Sequence, residues 1–154
     1  MFLRDPKQVT GYWEGWYETT LYRDLRRVYG KGYDPDIAHR ILREFGEIYR
    51  EGELATLAHF SLNSRVLRRY LTSMEILFLV LKISPHPRAV GSEYWILFDS
   101  GFLRFLMKKE SGEGASFSLI RHAIWNEILS HHEYRMGPYR PNYYKSAKGS
   151  PIDW

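Results

Sequence analysis

Apolar side chains recur at helical spacing through the first half of the chain. From residue 11 to residue 29 they follow three- and four-residue steps, which predicts a helix with one buried face. Glycines then interrupt the pattern, and a second helix is predicted to begin near Asp34 or Asp36, with Pro35 in its first turn. It is predicted to end near Gly52. The apolar positions of the two helices are Trp13, Trp16, Tyr17, Leu21, Leu25 and Val28, followed by Ile37, Ile41, Leu42, Phe45 and Ile48.

Four elements are predicted next: a short helix over residues 53–59, a turn, a longer helix over residues 64–78, and a strand. The apolar run after the longer helix leads into two prolines, which cannot continue a helix, and this favours the strand. Three polar residues around the turn can each cap the longer helix: Ser61, Asn63 and Ser64. The side chains predicted to form its buried face are Val66, Leu67, Tyr70, Leu71, Met74 and Leu77.

This order of elements is typical of a helix-turn-helix with a wing. In such a module the N-terminal half of the second helix presents polar side chains to DNA, and here those side chains are Asn63, Ser64, Arg65, Arg68 and Arg69. The planar guanidinium group of arginine suits contacts to phosphates and to guanine. The alternative is a solvated or protein-binding helix face whose arginines pair with acidic side chains nearby, namely Glu44, Glu47, Glu51, Glu53 or Glu75. The sequence leaves both open.

After residue 91 the pattern alternates between strand and helix. A strand is predicted over residues 94–99, a short amphipathic helix over 101–108, a loop over 110–115 and a longer helix over 116–132. The core face predicted for this last helix consists of Leu119, Ile120, Ala123, Ile124 and Ile128.

The chain is therefore predicted to contain two halves. Residues 143–144 and 152–154 each begin a strand, with a turn signal at residues 148–151 between them. Helices dominate residues 1–90, which we expect to form a winged-helix-like domain, whereas residues 91–154 mix strands and helices. The predicted fold class is α+β, with a helical half followed by a small α/β half.

Composition narrows the class of protein. With 154 residues and 44% apolar content, the chain can bury a core. The longest apolar run has six residues, far short of the roughly 18 needed to span a membrane. The N-terminus lacks the apolar segment of a signal peptide, and the absence of cysteine excludes disulfides and thiolate zinc sites. We therefore expect a cytoplasmic protein without a membrane partner.

Charge adds little by itself. The chain carries 22 basic and 18 acidic residues, for a formal net charge of +4, and arginine outnumbers lysine 15 to 7. This mild excess fits a basic globular protein as well as it fits a protein that binds nucleic acid.

Five stretches in a particular order carry a resemblance to a known family. They are WYETTLYRDL (16–25), LNSRVLRRYL (62–71), ILFDSGFL (96–103), WNEIL (125–129) and YYKSAKGSPIDW (143–154). In this order they resemble the C-terminal domain of unknown function that follows the ATPase module in many prokaryotic AAA-type ATPases. The resemblance covers nearly the whole chain. It implies a winged-helix region followed by a region similar to restriction-endonuclease-like folds.

The resemblance also implies where a metal site would lie and what it lacks here. A nuclease site of that kind needs a helix glutamate, a strand aspartate and an acidic-x-Lys pair, and Glu127 and Asp153 are the counterparts of the first two. His122 stands where many relatives carry an earlier glutamate, and Pro151 replaces another. No acidic-x-Lys pair follows Asp153, so we expect this half to resemble a truncated, inactive nuclease.

The predicted function is a non-catalytic accessory module, related to the C-terminal region of AAA-type ATPases, that binds duplex DNA or a protein partner such as an ATPase domain. The sequence has no GxxxxGK[ST] phosphate loop, and we expect neither a cofactor nor a bound metal. Two alternatives remain open at this point. One is a metal-dependent nuclease-like subunit completed by another chain, and the other is a structural interaction domain without affinity for DNA.

Overall fold

The computed structural model describes residues 6–107, 117–134, 142–145 and 151–152. The helices are α1 (Pro6–Thr19), α2 (Arg26–Tyr29), α3 (Pro35–Arg50), α4 (Ser64–Ile76), α5 (Ser100–Leu106) and α6 (Phe117–Tyr134). The strands are β1 (Ala55–Thr56), β2 (Val80–Ile83), β3 (Tyr94–Leu97), β4 (Tyr144–Lys145) and β5 (Pro151–Ile152). This mixture of helices with a small antiparallel sheet confirms the predicted α+β class.

The N-terminal helical pattern forms one continuous rod. Helix α1 runs through a π-helical segment, Thr20–Leu25, directly into α2, as predicted for residues 11–29. Leu21 and Leu25 are buried on the side that faces the core. The rod ends at Gly30, which has a φ of 76° that L-amino acids rarely adopt.

Helix α3 starts where its sequence signals place it. The side chain of Asp34 accepts a hydrogen bond from the Asp36 amide at 2.9 Å, and Pro35 occupies the first turn. The Tyr70 hydroxyl of α4 also binds Asp34, because it accepts from the Asp34 amide at 2.8 Å and donates to the Asp34 carbonyl at 3.0 Å. The start of α3 is therefore fixed both locally and by α4.

The helix predicted over residues 53–59 is wrong. This segment forms β1 followed by a single 3-10 turn, Leu57–His59. Ala55 is fully buried and lies opposite Trp95 in the antiparallel pairing of β1 with β3. A helix of seven residues gains too few backbone hydrogen bonds to offset its nucleation, so pairing with β3 determines the conformation.

Helix α4 follows the prediction closely. Asn63 is its cap and accepts a hydrogen bond from the Arg65 amide at 3.0 Å. The predicted core positions Leu67, Tyr70, Leu71 and Met74 are all fully buried, and this assignment is confirmed in the list of core residues. The helix ends at Ile76, two residues earlier than predicted, and the turn that follows contains Phe78 in the left-handed region with a φ of 56°.

The three-stranded sheet joins the two predicted halves. Its strand order is β1–β3–β2, with both neighbours antiparallel to β3, and Val80 lies opposite Leu97 while Ile83 lies opposite Tyr94. The division predicted at residue 90 therefore separates two paired strands of one sheet. A single cluster of buried side chains also draws on both sides of that position.

The face predicted to be buried in α6 is wrong. Ile120, Ala123 and Ile124 are exposed, whereas His122 and Trp125 are buried together with Leu119. Apolar residues lie on both sides of this helix, so periodicity alone does not orient it. Packing against α3 and α5 selects the side that carries the large Trp125 ring.

The last elements form a separate two-stranded pair. Tyr144 of β4 lies opposite Ile152 of β5, close to the positions where strands were predicted. The loop predicted over residues 110–115, the turn predicted at 148–151 apart from Pro151, and Asp153 lie outside the described residues. Within the described part of the chain, no helix is both long enough and apolar enough to cross a membrane.

Candidate nucleic-acid interface

The N-terminal half of α4 faces solvent. Asn63, Ser64 and Arg65 are all exposed there. The Asn63 side-chain oxygen is already used as the helix cap. Among the described residues, the Arg65 guanidinium has no ion-pair partner, so it is available to an anionic ligand.

Arg68 pairs with an acidic residue that the sequence did not single out. Its Nη1 atom lies 3.1 Å from Oε2 of Glu93, which is 25 residues away and immediately precedes β3. The other carboxylate oxygen of Glu93 lies 3.5 Å from the Nζ atom of Lys82 on β2. Glu93 therefore connects α4 with both long strands of the sheet.

Arg69 is anchored to the protein itself. Its Nη2 atom donates to the carbonyls of Tyr29 and Lys31, each at 3.2 Å, and its guanidinium carbon lies 4.1 Å from the centroid of the Tyr29 ring. These contacts hold the end of α2 against α4. Of the three arginines in the predicted recognition helix, Arg69 therefore has a structural role.

Most of the glutamates considered as partners for these arginines pair elsewhere or not at all. Glu44 binds Arg40 at 3.2 Å and also accepts hydrogen bonds from the amide and the hydroxyl of Ser61. Arg43 pairs with Glu47 at 3.7 Å. The buried Glu44 thus fixes the turn that precedes α4, and these two glutamates do not neutralise the arginines of α4.

The connection between β2 and β3 projects beside α4 as a loop over residues 84–93. It carries two exposed basic or titratable side chains, His86 and Arg88. Because the loop ends at Glu93, the ion pair with Arg68 places its final residues against the middle of α4.

Tyr143 holds this loop from below. The Tyr143 carbonyl accepts from the His86 amide at 2.8 Å, and the Tyr143 hydroxyl donates to the Ser92 carbonyl. Its ring packs 4.3 Å from the ring of Tyr94. Gly91 has a φ of 145°, and a Cβ atom there would collide with the Tyr143 hydroxyl. The loop therefore has a defined position relative to the sheet.

The residues expected to be remnants of a nuclease site are not brought together. Glu127 lies exposed on α6, and His122 is buried on another side of the same helix. Asp153 lies outside the described residues. Within the described ranges, no three His, Cys, Asp or Glu side chains form a group that could hold a metal ion.

His122 is instead part of a buried polar contact between helices. Its ring packs edge-on against Tyr49 of α3 at 5.4 Å, and its Nδ1 atom lies 3.4 Å from Nδ2 of Asn126. Burial lowers the pKa of His122 to about 4, although the backbone of Leu97 and the Asp99 carboxylate act in the opposite direction. Burial likewise raises the pKa of Tyr49 above its usual range.

The side chains that shape this interface but escaped the sequence analysis are Lys82, Glu93 and Tyr143. Each is far in sequence from α4, and a single charged or aromatic residue in an extended segment gives no distinguishing signal. Comparison of the chain with protein-family models, with curated proteins and with solved structures finds no match in any of the three.

Proposed function

We propose that this chain is a non-catalytic accessory module that binds duplex DNA through α4 and the β2–β3 hairpin. The observation that carries the proposal is the order α3, β1, 3-10 turn, α4, β2, β3 combined with the sheet order β1–β3–β2. This arrangement leaves the first half of α4 exposed and sets a long hairpin loop beside it, which is the arrangement a winged helix-turn-helix uses on DNA.

The charges on this face support the proposal. Arg65 and Arg68 are three residues apart on α4 and therefore lie on the same side of the helix. Lys82 on β2 and Arg88 in the loop extend the positive charge toward the hairpin. With α4 in the major groove, Arg65 would meet base edges or phosphates, and the loop would lie over the neighbouring backbone.

The link to AAA-type ATPases rests on the resemblance of the five sequence stretches. In that setting the module would tether or orient a separate ATPase domain on DNA. The chain's own residues would supply binding only, because the described part of the chain brings together no acidic cluster for metal-dependent cleavage.

A fluorescence-anisotropy titration with a labelled duplex at low salt tests DNA binding. Arg65→Ala is expected to weaken binding to all duplexes and to flatten the plot of log affinity against log salt by about 0.9 if Arg65 contacts a phosphate. If Arg65 reads a guanine instead, its loss weakens binding at one base position by roughly 1–3 kcal/mol.

Arg43→Ala is the matched control, since it removes the same charge from an exposed position on α3. It is expected to leave the salt slope unchanged. Absence of binding by the wild-type chain below about 100 μM, the weak end of ordinary non-specific affinity, would contradict the proposal.

A second candidate function, binding of a protein partner, is favoured by the exposed apolar side chains of α6. Phe117, Ile120 and Ile124 follow helical spacing and face away from the core. Titration of a purified AAA-type ATPase module against the wild-type chain and against Ile124→Asp tests it. Binding that is lost in the variant would support this function, and equal binding by both chains would contradict it.

A further inference from the structure

We propose that Glu93 regulates the DNA-binding face by competing with phosphates for Arg68 and Lys82. The inference rests on the proposed function and adds to it a residue that limits affinity. Glu93 is the acidic partner of both cations, at 3.1 Å from Arg68 and 3.5 Å from Lys82. It therefore occupies the position at which a phosphate oxygen would have to bind to use either of them.

The three residues come from different elements of the interface. Arg68 projects from α4, Lys82 from β2, and Glu93 stands at the end of the hairpin loop. A carboxylate that joins the helix to the hairpin is unusual on a face with a net positive charge, because it cancels part of the attraction for a polyanion. Nothing in the core depends on it, since all three side chains reach solvent.

The exposure of the pair makes an exchange of partners feasible. The side chain of Arg68 is 57% exposed and that of Glu93 is 30% exposed. Exposed ion pairs contribute little to folding stability, so opening this one requires little free energy. A bound phosphate would take the place of Glu93 beside Arg68 and would repel the released carboxylate. Glu93 thus lowers affinity without blocking the site.

Glu93→Gln tests the proposal because it removes the charge and keeps the shape of the side chain. Relative to the wild-type chain, it is expected to bind a labelled duplex roughly two- to fivefold more tightly at low salt. Its plot of log affinity against log salt is expected to be steeper by about 0.9, since Arg68 becomes free to neutralise a phosphate. Glu93→Asp keeps the charge and is expected to retain the wild-type slope.

Glu75→Gln is the matched control. It removes the same charge from α4, and among the described residues Glu75 forms no ion pair. A double-mutant cycle adds the second readout: with Arg68→Ala already present, Glu93→Gln is expected to lose most of its gain in affinity. Should Glu93→Gln fail to fold by circular dichroism, Glu93→Ala gives the same comparison.

The outcomes separate this inference from the proposed function. If the wild-type chain binds DNA and Glu93→Gln binds equally or more weakly, the competition is wrong and the DNA-binding proposal stands. An equal gain in Glu75→Gln also overturns it, because the effect would then be one of overall charge. If neither the wild-type chain nor Glu93→Gln binds duplex DNA, both proposals are wrong. Binding by Glu93→Gln alone supports the competition directly.

Discussion

The guanidinium of Arg69 lies over the ring of Tyr29, 4.1 Å from its centroid, and donates to the Tyr29 carbonyl at 3.2 Å. The same ring packs 4.3 Å from the ring of Tyr70, which is fully buried in α4. A side chain that the sequence groups with the DNA-facing arginines thus connects the end of α2 to the core. The three arginines of α4 consequently have three different environments.

This difference predicts opposite effects on stability. Arg69→Ala is expected to lower the free energy of unfolding by about 1–2 kcal/mol, because it removes a cation–π contact and hydrogen bonds to two carbonyls. Arg65→Ala removes no contact and is expected to change it by less than about 0.5 kcal/mol. Urea unfolding of both variants measures the difference, and equal effects would show that Arg69 is not an anchor.

The core of α4 gives a second prediction. Leu71 is fully buried in the main cluster, so Leu71→Ala is expected to lower the free energy of unfolding by about 2–5 kcal/mol. The next residue, Thr72, is exposed, and Thr72→Ala serves as the control with an expected change below about 0.5 kcal/mol. A thermal melt of Leu71→Ala that matches the wild-type melt would contradict the placement of this helix face.

A third prediction concerns the close approach of α3 to α5. A Cβ atom at Gly46 would lie 2.6 Å from the carbonyl oxygen of Leu106, which is backbone and cannot rotate away. Gly46→Ala is therefore expected to destabilise the protein by about 1–3 kcal/mol.

Gly15 offers the matched control for that substitution. It lies in α1 with no atom within 4 Å of an added Cβ, so Gly15→Ala is expected to stabilise the protein by about 0.5–1 kcal/mol. Melting temperatures that move in opposite directions for the two variants support the packing. A rise for both would mean that α3 and α5 are further apart than described.

The buried His122 predicts a pH dependence of stability. Its pKa is about 4 in the folded chain against 6.5 for an ordinary histidine, so between these pH values the unfolded chain binds more protons. The free energy of unfolding is therefore expected to be full above about pH 6.5 and to fall as the pH drops toward 4. The loss attributable to this residue is about 3 kcal/mol at most.

Urea unfolding of the wild-type chain and of His122→Gln at pH 7 and at pH 4.5 measures this contribution. Because the glutamine side chain does not titrate, the variant is expected to lose less stability over that interval than the wild-type chain. Identical pH dependence of the two chains would show that His122 is solvated or already protonated in the folded state.

The sequence by itself determined the elements whose signals are local. The cap at Asp34, the proline after it and the regular apolar spacing of α3 and α4 each stabilise a helix within one or two turns, so no distant contact was needed to locate them. The exposed first half of α4, including Arg65, followed from the same spacing. The α+β class followed from the order of these elements.

Only the tertiary structure decided the features that depend on distant partners. Residues 53–59 became a strand and a 3-10 turn because Ala55 pairs with Trp95, and α6 turned its His122 and Trp125 side inward because α3 and α5 pack there. The pairing of Arg68 with Glu93, 25 residues away, follows from the hairpin that returns beside α4. Such contacts gain their free energy from surfaces brought together by the whole fold, and a local pattern of apolar and polar residues does not contain that information.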